Sequence, residues 1–139
     1  MTTIQLTEDM FKSGKPVAQG EVLIWMKKYA PQAIIEKMAA LKNMQEMKLE
    51  KGQLILGHSE TGHHHVLEAV RPNVHISKAA IALIDAANDS FIELKLSEPC
   101  QIIHLRSTDT HSGFVLPKGD YIRGIREEQS PAGWVRVAD

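Results

Sequence analysis

One cysteine in a chain of 139 residues, Cys100, leaves no possibility of an intramolecular disulfide. The fold must therefore rest on packing, a metal or an assembly, and a reducing compartment is expected. Sixteen Lys and Arg stand against seventeen Asp and Glu, a formal net charge of -1. That balance lacks the basic excess that marks a nucleic-acid footprint or an anionic membrane partner, so neither is expected. No apolar run approaches the roughly 20 residues of a spanning helix, and MTTIQLTEDMFKSGK lacks the basic-then-apolar order of a signal peptide, so synthesis in the cytoplasm is expected. There is no phosphate-binding loop, dinucleotide fingerprint, internal repeat or low-complexity tract.

What is present has the texture of a single small domain, 43% hydrophobic and 24% charged. Residues 1–20 mix polar residues with Gly14, Pro16 and Gly20 and read as an irregular arm carrying at most a short strand or one helical turn. Residues 21–139 read as one β-rich domain with an inserted helix. Val22 to Met26 is a buried strand. Pro31, followed by Ile34, Met38, Leu41 and Met44 at helical spacing, predicts an amphipathic helix over about 31–47.

From Lys51 onward, short alternating segments are separated by Gly, Pro, Asn and Asp, the pattern of a small antiparallel barrel or a jelly-roll-like sandwich. In 91–96, Ile92, Leu94 and Leu96 share one face while Phe91, Glu93 and Lys95 share the other. Residues 76–84 fit helix or strand, and Ala86 to Asp89 before a clear strand favours a hairpin. Further strands are expected at 100–105, 114–116, 121–126 and 134–137. Trp25, Trp134 and the helix methionines read as packing, and Lys27, Lys28, Arg123 and Arg126 as solvated faces.

The chemically loaded feature is Gly57-His58-Ser59-Glu60-Thr61-Gly62-His63-His64-His65, which holds four of the seven histidines. In a strand starting at Gly62, His63 and His65 project from one face and His64 from the other. Such a pair is a bidentate chelate that needs further ligands, and His111 is the first choice, with His58, Glu60 and His104 behind it. Such ligands suit Zn, Fe, Mn or Ni. Glu68 falls on the wrong face of a regular strand. A surface or hydrogen-bonded histidine cluster without metal is the competing reading. For His104, in Gln101-Ile102-Ile103-His104-Leu105, a partly buried and satisfied imidazole is preferred to a ligand, and His75 reads as a loop residue. Ser107, Thr108, Asp109 and His111 contain the residue types of a nucleophilic triad, but no nucleophile elbow precedes them.

Two resemblances follow from these residues. Gly57-x5-His63-x-His65-x2-Glu68, with Pro117-x-Gly119 downstream, resembles the two motifs of the cupin superfamily, small jelly-roll barrels that bind a metal through three His and a Glu. The Glu spacing here is shorter, and no His follows Pro117-x-Gly119. More extensively, GHSETGHHHVLE, HLRSTDTH and LPKGDYIRGIREEQSPAGWVRVAD resemble blocks of a family of small uncharacterised proteins of tailed phages, prophages and bacteria, although Glu127-Glu128-Gln129 replaces a more basic and aromatic stretch.

The second resemblance supplies a phage context, and with the compact β-rich size, the lack of a complete catalytic constellation and an irregular arm that could reach a neighbour it motivates a virion structural role, a capsid decoration or cement protein on the capsid exterior. It would bind major capsid subunits and act as a homo-oligomer. The first resemblance and the cluster together imply a cupin-like metal-binding protein or metal-dependent enzyme, which could equally be cytoplasmic. A host-directed accessory binding protein without metal is a third possibility.

Overall fold

A computed structural model describes residues 3–58, 64–104, 113–130 and 133–136, the segments from 128 onward as backbone. In chain order the strands are β1 (Thr3–Gln5), β2 (Val17–Gln19), β3 (Val22–Met26), β4 (Met44–Glu46), β5 (Leu54–Gly57), β6 (His65–Ala69), β7 (Ala80–Asp85) and β8 (Asn88–Leu96). They continue as β9 (Cys100–His104), β10 (Gly113–Leu116), β11 (Gly119–Ile125), β12 (Glu127–Ser130) and β13 (Gly133–Arg136). Helix α1 (Gln32–Ala39) follows β3, and the single turn α2 (Ile76–Ala79) precedes β7.

The chain deals its hairpins alternately to two sheets. One sheet has the order β1-β10-β9-β6-β5, the other β2-β3-β11-β8-β7-β4, and β12 pairs with β13. All pairings are antiparallel except β1 on β10. The sandwich form of the expected fold is the one observed. The barrel does not close, and each sheet keeps its own edges.

Inward residues alternate along each strand, so the core draws Val22, Ile24 and Met26 from β3, Ile92, Leu94 and Leu96 from β8, and Leu67 and Ile102 from β6 and β9. The parity expected for 91–96 is the observed one. The predicted hairpin is present as β7 and β8, closed around Ala86 and Ala87, with Asp85 Oδ1 accepting from the Ala87 amide at 2.9 Å. Only Ile76–Ala79, ahead of it, is helical.

Three expectations need correction. The helix predicted to reach 47 stops at Ala39, because Met44–Glu46 pairs with β7 and completes a sheet edge. Leu41 and Met44 kept helical spacing by coincidence, and ladder hydrogen bonds outweigh that weak preference. Arg123 is not on a solvated face. It stands on β11 between Ile24 and Ile92 on the core side, 3% exposed, and donates from Nη2 to the Asp89 carbonyl at 2.7 Å. The first twenty residues are also more regular than expected: β1 pairs with β10, Glu8–Phe11 forms a 3-10 turn, and Phe11 is 1% exposed, edge-on to Tyr121.

Candidate functional site

The register of β5, β6 and β9 sets Gly57 opposite His65 and His65 opposite His104. Residues opposed across strands share a face, and the next residues on that face, Leu67 and Ile102, belong to the core. The two histidines therefore point into the sandwich. Both are fully buried, and their rings stack with centroids 4.1 Å apart and planes 8° from parallel.

The other sheet supplies their polar company. Between β2 and β3 the chain turns in two residues, Gly20 and Glu21, with Gly20 at φ +57°, the left-handed conformation that glycine takes without strain. This turn delivers Gln19 and Glu21, both buried, to the point where β6 begins and β9 ends. Gln19 Nε2 donates to the Ile102 carbonyl at 3.3 Å, which turns its Oε1 toward His65 Nδ1 at 2.8 Å. A carbonyl only accepts and an amide oxygen only accepts. The orientation of Gln19 is thereby set, and His65 must carry a proton on Nδ1.

His65 Nε2 then faces Glu21 Oε2 at 3.3 Å, while Glu21 Oε1 has no hydrogen-bond partner among the described residues. A Cβ at Gly57 would lie 2.8 Å from Val22 Cγ2, 3.1 Å from Glu21 Oε1 and 3.2 Å from His65 Cδ2. The missing side chain at 57 is what lets the histidine and the carboxylate meet. The result is a polar brace of Gln19, Glu21, His65 and His104 tying the two sheets together inside the apolar core.

The outer histidines behave differently. His58 is exposed, with Nε2 2.7 Å from Glu50 Oε2, and its ring meets that of His64 edge-on at 5.1 Å. His64 is half-buried and lies just ahead of β6, which begins at fully buried His65, so the described part of the strand expected from Gly62 starts only there. Glu68 lies away from the histidine row, as its parity predicts. With Val66, Val70, Arg71 and His75 it lines a groove of about 330 Å³. His63, Glu60 and His111, together with Ser107, Thr108 and Asp109, lie outside the described residues.

Among the described residues no three His, Cys, Asp or Glu side chains are arranged to hold a metal ion. The reason is visible in the stack. Imidazoles that share an ion aim their lone pairs at one point, whereas near-parallel rings send theirs side by side. Sequence reasoning found His65 and His104 but missed Gln19 and Glu21. The available signal was a charged residue directly after Gly20 and directly before the buried strand.

Two other groups near the core are perturbed by their surroundings. Burial pushes the Cys100 thiol up to about 12, with the charge of Glu98 adding to it. Burial also raises the Tyr121 phenol, whose O–H donates to the Pro117 carbonyl at 2.7 Å. Neither is a nucleophile at neutral pH.

Fold and site together define a two-sheet β-sandwich protein with a buried histidine–carboxylate brace. Residues 18–125 match the model of the family described as a domain of unknown function, DUF8820, and the chain belongs to that family. No curated protein and no solved structure matches it.

Proposed function

We propose that this chain is a structural protein of a phage particle, a decoration or cement protein that binds over joints between major capsid subunits. The observation that carries the reading is the edge of the first sheet. Among the described residues, Thr3, Ile4 and Gln5 of β1 are exposed in succession and pair only with β10, an edge that suits a strand from a neighbour. A brace between the sheets suits such a role, because a staple needs rigidity and surface more than a pocket. The phage-family resemblance of the histidine and C-terminal blocks supplies the context. Mass spectrometry of purified particles tests the reading. A fixed copy number per capsid hexamer, lost when residues 1–5 are deleted, is expected, and absence from purified particles would end it.

A second reading is favoured by one contact. Metal-ligating histidines usually donate their second ring N–H to an oxygen, and Gln19 Oε1 holds His65 Nδ1 in that way. The ligands would be His63, His65 and His111, binding one divalent transition metal. Elemental analysis of untagged protein tests it: no stoichiometric metal, or metal unchanged in H63A and H65A, rules it out.

A further inference from the structure

We propose that β1 is the interface of a homodimer, in which the β1 strands of two copies pair antiparallel about a twofold axis at Ile4 and join two five-stranded sheets into one. Among the described residues the two large sheets have four edges, β1, β5, β2 and β4, and three of them carry devices that discourage pairing. Pro16 stands directly before β2. Strand β4 carries Glu46 and lies between Lys42 and Lys48. All four residues of β5 are buried, and its register shifts between Ile55 and Gly57. Strand β1 has no such device: its three residues are exposed, and from Thr2 to Thr7 the chain holds no charge, proline or glycine.

The row of side chains that reaches this edge favours a second copy as its occupant. Leu67, Ile102, Phe114 and Ile4 stand opposite one another across β6, β9, β10 and β1. Leu67 and Ile102 belong to the core, Phe114 is half-buried against it, and Ile4 is 42% exposed, so the core layer runs out at β1. Leu6, two residues on and on the same face, is buried in that core. An apolar side chain at the matching position of an added strand would continue the row, and in a second copy Ile4 itself supplies it.

The backbone agrees with that register. Leu6 donates to the Val115 carbonyl at 3.0 Å, so by alternation the N–H and C=O groups of Ile4 and Leu6 face β10 and those of Thr3 and Gln5 face outward. With the axis at Ile4, each Thr3 opposes the second copy's Gln5, giving two pairs that each exchange two hydrogen bonds. Ile4 meets its own copy between them, in the closer pair that makes no hydrogen bonds, and no charges are opposed. The inference rests on the same open edge as the decoration reading and names its occupant. Four main-chain hydrogen bonds and one apolar contact form a small interface, so the dimer should be weak and dependent on concentration.

Sedimentation of the full chain from about 5 to 500 μM should show the mass rising from 15.5 kDa toward twice that value. I4K sets two ammonium groups face to face across the axis and I4E two carboxylates, so each variant alone should lose the dimer and an equimolar mixture should recover it. Ile4 is exposed, and circular dichroism of both variants should match wild type. I4C adds a positional readout. Cα atoms opposed in such a pair lie about 4.5 Å apart, within the roughly 4.4–6.8 Å that a disulfide spans, so mild oxidation should give a covalent dimer, whereas T3C, opposite Gln5, should give none. Cys100 is buried and takes no part. A wild type that stays monomeric overturns the pairing, as does a dimer that persists in I4K or a T3C that cross-links as fast as I4C. The decoration reading fails on a different result, absence from purified particles, so the two failures are distinguishable.

Discussion

Replacing Gly57 by Ala tests the packing at the brace most directly. The new Cβ would sit 2.8 Å from a Val22 methyl, closer than carbon atoms approach, and at 3.1 and 3.2 Å from Glu21 Oε1 and His65 Cδ2. Val22 is completely buried and β-branched, so it has little freedom to rotate away. Overpacking of this kind costs about 1–3 kcal/mol. Displacing a buried carboxylate from its only described side-chain partner adds about 1–2 kcal/mol. G57A should therefore lose about 2–5 kcal/mol, which at an m-value of about 2 kcal/mol/M lowers the urea midpoint by roughly 1–2.5 M. Val22→Ala removes the clashing methyl, so in a V22A background the cost of G57A should shrink by about 1 kcal/mol or more. A G57A protein within about 0.5 kcal/mol of wild type, or a cost unchanged by V22A, would refute the close-approach argument.

Other positions give independent checks. Cys100, buried and with its thiol pushed up to about 12, should stay unreactive toward a disulfide reagent at pH 8 in native protein and react as soon as denaturant unfolds the chain; prompt native labelling would contradict its burial. Tyr121→Phe removes the hydroxyl that donates to the Pro117 carbonyl and should cost about 1–2 kcal/mol by urea unfolding, with no change in fold by circular dichroism. Lys51 and Gly52, at φ 52° and 76°, form the two-residue turn between the paired Glu50 and Gln53. Asn tolerates that backbone better than Lys, so K51N should raise stability by about 0.5–1 kcal/mol, seen as a Tm higher by roughly 2–4 °C.

The strands were readable where burial falls on one side. Ile92, Leu94 and Leu96 alternate with polar or half-buried neighbours, and a slip of one residue would turn the whole set outward. Helix α1 was readable in type but not in length. Ile34, Ile35 and Met38 form its half-buried stripe, yet Leu41 and Met44 extend the same spacing into residues that pair with Leu83 to Asp85, some forty positions away. Arg123 was misread for a related reason. A charge in a strand is ordinarily solvated, and only the register with Ile24 and Ile92 reveals the inward face.

The histidines show where spacing stops being informative. Period two assigns His63 and His65 to one face of a strand, but it is silent about which face is the interior, so an inward histidine and a presented ligand look alike in sequence. What distinguishes them here is Gln19 and Glu21, forty-six and forty-four residues upstream, brought in by a glycine turn on the opposite sheet. His65 is thus committed through both nitrogens before any exogenous group is considered. A functional reading built on this histidine must displace the Glu21 contact, and one that leaves it in place treats the brace as part of the scaffold.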